Sequence, residues 1–106
     1  MDVDIAVRAL QKRWGLTHHT AVHLLRLIGE VGGRTTSGRR SRVKNRLVGG
    51  VAGSRHLVGR AFDHVPSSGR FEHAVTFARA DRCGPQCRGP EDVLNEGDHV
   101  HWEDFG

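Results

Sequence analysis

Hydrophobic positions in the first third of the chain recur at helical spacing. Val3, Ile5, Ala6, Leu10 and Trp14 form an apolar stripe that predicts a helix over 3–13, broken at Gly15. Thr17 or Thr20 is placed to cap a second helix with Ala21, Val22, Leu24, Leu25 and Ile28 facing inward and Gly29 near its end. A glycine pair at 32–33 turns the chain into a short strand at 34–36, followed by a polar loop over 41–46 and a run of small residues at 48–53 that lets the backbone bend sharply. From 56 to 63 the pattern changes to a period of two. Leu57, Gly59 and Ala61 alternate with His56, Val58, Arg60 and Phe62, which predicts a short strand with a bulge or a loop before it. Phe71, Val75 and Ala78 mark a third helix over 71–79, and two strands, 93–94 and 100–105, flank a hairpin turn at Asn95-Glu96-Gly97. The order of elements describes one α+β domain over 1–106, with 1–30 as its helical N-terminal part and a small antiparallel sheet packed on helices.

Composition makes the core thin. The chain has 106 residues, 37% of them hydrophobic, with 14 glycines and no tyrosine. A loop-rich domain of this size gains from a bound metal. The formal charge of +4 is uneven: Arg34, Arg39, Arg40, Arg42, Lys44 and Arg46 meet no acid within 34–46, whereas 91–104 carries Glu91, Asp92, Glu96, Asp98, Glu103 and Asp104. A basic run of this kind attracts phosphate or carboxylate, or is a solvated loop. No stretch is long and apolar enough to span a membrane, and the acidic start lacks the pattern of a secretory signal, so synthesis in the cytoplasm is expected. Cys83 and Cys87 are spaced more widely than a redox CxxC; a local disulfide, free thiols and an accessory metal contact all remain open.

Two stretches carry candidate chemistry. The first runs from Ser54 to Asp63, the second from Asp98 to Glu103. Imidazole and carboxylate both bind zinc, and a hydrolytic site uses three protein ligands and a water. His56, Asp63 and one of His99 or His101 make such a set, with a further carboxylate as base. His19 and His23 are four apart but have no glutamate between them in an HExxH pattern, which makes them scaffold residues.

The same stretches resemble the peptidase M15 family of D-alanyl-D-alanine carboxypeptidases, dipeptidases and phage endolysin peptidases. Ser54, His56, Gly59, Ala61 and Asp63 match its SxHxxGxAxD signature. Asp98 and His101, followed by Trp102 and Glu103, resemble its acid-x-x-His element, and the run from Thr36 to Ser41 looks like its TSGYRS turn, with Arg39 in place of the aromatic. Residues 45–53 resemble the glycine-rich approach to the metal motif, so the likeness covers roughly 27–106 in the family's order. It implies a Hedgehog/DD-peptidase-like fold, with Zn2+ held by His56, Asp63 and His101. Only His101, not His99, fits the acid-x-x-His register. Asp98 is implied as general base, and Arg40 as the residue that holds the substrate carboxylate or polarises the scissile carbonyl. Ser54 would orient a ligand and Gly59 would allow close backbone approach. On a regular strand His99 and His101 share a face and Asp98 takes the opposite one, so a twist, a bulge or a turn must bring the base to the metal.

The function implied is hydrolysis of amide bonds in peptidoglycan stem peptides, of the D-Ala-D-Ala carboxypeptidase or L-Ala-D-Glu endopeptidase type. The expected enzyme is a monomer with no nucleic-acid or membrane partner, acting on the cell wall. A compact domain of this kind suits a phage lysis or virion-associated enzyme. Two alternatives are a non-catalytic zinc-containing binding module of the same fold and a basic nucleic-acid-binding protein. The latter lacks aromatics interleaved with its arginines.

Overall fold

A computed structural model describes residues 2–41, 46–49, 55–81, 90 and 92–104. Three helices and a four-stranded sheet follow in the order α1 (Val3–Trp14), α2 (His18–Val31), β1 (Arg34–Ser37), a 3-10 turn (Arg55–Val58), β2 (Ala61–Val65), α3 (Phe71–Ala80), β3 (Asp92–Asn95) and β4 (Val100–Glu103). The fold is α+β, as the pattern predicts. No helix among the described residues is long and apolar enough to cross a membrane.

Local signals start and stop the helices. Asp2 accepts a hydrogen bond from the amide of Asp4 at the start of α1, and Gly15, at φ 65°, closes it by donating to the carbonyl of Gln11. Thr17 caps α2 through the amide of Thr20. That helix runs past Gly29 to Val31 and ends at Gly32. The apolar stripe of α1 differs from the predicted one: Val3 and Ile5 are exposed, while Val7 is buried and Leu10 and Trp14 pack against the core. Positions 7, 10 and 14 are a tighter match to one helical face than 3 and 5.

The sheet order is β1-β2-β4-β3, with neighbouring strands antiparallel. Its two faces do different work. Phe62 and His64 on β2, and Val100 and Trp102 on β4, are buried in the core. Trp102 stacks on Phe62 at 5.0 Å and lies 5.2 Å from the ring of His23 on α2. His23 in turn bonds Asp81, which also accepts from Arg26. This buried network joins α2 to the end of α3, so His23 is scaffold. On the opposite face, β2 presents Asp63 directly across from His101 on β4.

The strand expected over 56–63 forms only from Ala61 onward. Before it the chain coils as a 3-10 turn, with Arg60 donating to the carbonyl of Arg55. Gly59, at φ 73°, makes the reversal possible. A Cβ at Gly59 would lie 2.3 Å from the carbonyl oxygen of Gly15, and one at Gly38 would lie 2.5 Å from that of Trp14. The turn between α1 and α2 therefore interlocks with both loops that surround His56.

Candidate metal centre

Three segments bring His56, Asp63 and His101 together. One atom from each lies within 4.8 Å of the others. His56 comes from the 3-10 turn and is fully buried. Its Nδ1 meets the carbonyl of Gly38 at 2.7 Å, and an acceptor-only partner requires the proton on Nδ1. The Nε2 lone pair is thereby turned toward Asp63 Oδ2, 3.5 Å away. The amide of Arg40 donates to the His56 carbonyl, which ties the two loops together at this residue. Asp63 Oδ1 is 2.9 Å from His101 Nδ1, and Glu103 Oε2 lies 3.3 Å from the other ring nitrogen. A carboxylate behind the far nitrogen is the arrangement that orients a metal-binding imidazole.

The electrostatics fit a cation. Burial alone would raise the pKa of Asp63, but hydrogen bonds and charge from His101 and His56 outweigh it and hold the carboxylate well below its ordinary range. Burial pushes His101 down, and Asp63 and Glu103 more than offset it, so its pKa is raised. Two imidazoles and a carboxylate are a donor set for zinc, and tetrahedral ligands at ordinary zinc distances stand about 3.4 Å apart. The 3.5 Å between His56 and Asp63 agrees with that spacing.

A family model described as Peptidase M15 matches residues 4–103, nearly the whole chain. The chain belongs to the Peptidase M15 family. Neither the curated proteins nor the solved structures gave a match. M15 peptidases are typically zinc-dependent, and the three residues gathered here are suited to that metal.

In this M15 peptidase the residues flanking the cluster sort differently from their order in the sequence. Asp98 is turned toward solvent beside His99. It lies in the bend before β4 with its side chain 88% exposed, and its Oδ1 is 2.6 Å from His99 Nδ1. His99 is the group that faces the cluster, with Nε2 3.6 Å from Asp63 Oδ1. Glu96 Oε1 is 3.9 Å from both His99 Nε2 and His101 Nδ1. The sequence signal for this arrangement is the period of two in His99, His101 and Glu103, which puts all three on one face. His64, the other histidine beside a ligand, points into the core and bonds the Gly32 carbonyl and the Thr35 hydroxyl.

Arg40 lines a cleft of about 720 Å³ next to the His56 turn, and its buried Nε has no hydrogen-bond partner among the described residues. The cleft also takes Arg13 and Trp14 from the end of α1, a segment that carries none of the motif residues. Ser54, Cys83 and Cys87 lie outside the described residues.

Proposed function

We propose that the protein is a zinc-dependent hydrolase of amide bonds in peptidoglycan stem peptides, of the D-Ala-D-Ala carboxypeptidase or L-Ala-D-Glu endopeptidase type. The observation that carries this reading is the convergence of His56, Asp63 and His101 within 4.8 Å in a chain of this peptidase family. When bound, a divalent ion supplies Lewis acidity, lowering the pKa of its water toward ~7 and polarising a carbonyl.

The protein's own residues supply the proton transfers. His99 Nε2 faces the cluster and is the proton acceptor, later returning the proton to the leaving amine. Asp98 holds the Nδ1 proton of His99 and so keeps Nε2 free to accept. Asp98 thus assists the base rather than serving as the base. Arg40, fixed through its amide to the carbonyl of His56, offers its guanidinium to the substrate carboxylate or to negative charge growing on the carbonyl oxygen. The same reading makes the protein a monomeric enzyme of the cell wall, with neither nucleic acid nor membrane as partner.

Digestion of purified peptidoglycan tests the reading, with products identified by mass spectrometry. Metal-replete protein is expected to cleave and chelated protein not to. His99→Ala is expected to lose about 10²- to 10⁴-fold, the span of a general base. Asp98→Asn retains its place beside His99 and loses roughly tenfold or less, because the exposed carboxylate acts only through the ring. Release of terminal D-alanine identifies the carboxypeptidase type, and release of whole stems the endopeptidase type. Tightly bound zinc without cleavage would establish the non-catalytic module instead.

A further inference from the structure

The cleft beside His56 collects positive charge with no acid among its described lining residues. Arg13, Arg39 and Arg40 all line it, and no lining residue among those described is a carboxylate. None of the three forms an ion pair with a described residue. Gathering three guanidiniums in one concavity is unfavourable unless an anion enters. The Arg13 side chain and the Arg39 backbone are also positioned. Arg13 lies over the ring of Trp14 at 5.0 Å, and the amide of Arg39 donates to the Trp14 carbonyl at 2.7 Å. A guanidinium held on an aromatic face offers its planar fork to a carboxylate with little further loss of freedom.

We propose that Arg13 and Arg39 form a subsite for a carboxylate of the peptide substrate other than one at the metal centre. The proposal rests on the peptidase reading above and extends it to substrate selection. The cleft abuts the turn that carries His56: Leu57 and Val58, the residues after it, form part of the wall, and the amide of Arg40 is bonded to the His56 carbonyl. A peptide with an amide at the cluster would need only to pass this turn to place a second group in the cleft. Val58, 53% exposed, gives the intervening methylenes an apolar surface. The enzyme therefore prefers stem peptides whose second residue keeps its free carboxylate over those in which it is amidated.

The test uses two synthetic stem pentapeptides that differ only in D-glutamate or D-isoglutamine at the second position. Each is titrated into the zinc-loaded protein with tryptophan fluorescence as readout. The acid form is expected to bind at least about tenfold tighter, the scale of one charge-assisted hydrogen bond. Arg13→Gln/Arg39→Gln is expected to lose that preference while its affinity for the amidated peptide, its zinc stoichiometry and its circular dichroism stay unchanged. Equal affinity for the two peptides in wild type overturns the proposal, as does a preference that survives in the double variant. A glycerol phosphate oligomer that displaces the acid peptide at lower concentration than the peptide itself reassigns the cleft to a phosphate polymer and also overturns it. Acid-selective binding without cleavage keeps the subsite and removes the peptidase reading; cleavage without acid preference does the reverse.

Discussion

Gly59→Ala is the sharpest test of how the N-terminal helices shape the metal centre. An alanine at φ 73° carries the left-handed strain of roughly 1–2 kcal/mol. Its Cβ would stand 2.3 Å from the Gly15 carbonyl oxygen, where ordinary contact begins at 3.4 Å. The α1–α2 turn must then retreat by about 1 Å, an overpacking cost of about 1–3 kcal/mol. That retreat also breaks the hydrogen bond from the Thr17 amide to the Gly59 carbonyl, now 3.0 Å, which contributes about 1 kcal/mol. The expected total is about 3–6 kcal/mol, a large part of the stability of a domain this size. Gly69→Ala is the control: its φ is 78°, but nothing lies within 4 Å of the added Cβ, so only the strain remains. Urea unfolding of the two variants beside wild type gives both numbers, provided the slopes match. A Gly59→Ala loss within about 0.5 kcal/mol of the Gly69→Ala loss, the usual scatter between independent substitutions, would refute the interlock.

Other outcomes follow from the same geometry. Zinc at about 100 times its dissociation constant is expected to stabilise the protein by ~2.7 kcal/mol in thermal unfolding, and His56→Ala to abolish the shift; a wild-type midpoint indifferent to chelator would remove the metal site. Burial lowers the pKa of His64 from its ordinary 6.5 despite the bond to the Gly32 carbonyl. Below pH 6.5 the unfolded chain binds a proton there that the folded chain does not, so stability falls as the pH drops through that value. His64→Gln flattens this slope in the metal-free protein, and an unchanged slope would contradict the assignment. Trp102→Ala, which removes a 1% exposed ring stacked on Phe62, is expected to cost about 3–5 kcal/mol by denaturant titration.

Residues whose environment is set by near neighbours in the chain were legible from sequence. The three helices follow from apolar periodicity and their capping threonine and glycines, and the β3–β4 hairpin follows from Asn95-Glu96-Gly97. His56, Asp63 and His101 stood out as a candidate ligand set through the resemblance to the family's motifs, and the fold brings them together. What spacing alone leaves open depends on distant parts of the chain. The 3-10 turn at 55–58 mimics strand alternation, and only the packing of Gly59 against Gly15 sets it apart. Spacing named Asp98, but spacing measures register and not side-chain direction; the bend at 97–99 sends Asp98 outward and His99 inward. Arg13 and Trp14 carry no local mark of a cleft, because the loop bearing Arg39 reaches them only after folding.

The pairing of β2 with β4 also decides when the three candidate ligands meet. Asp63 and His101 face each other only once these two strands are zipped, although 38 positions separate them in the chain. With β4 unpaired, only His56 and Asp63 of the three candidate ligands can be near each other. Closing the long loop to β4 carries an entropic cost that grows with its length. The complete cluster is thus a property of the assembled sheet rather than of any one segment.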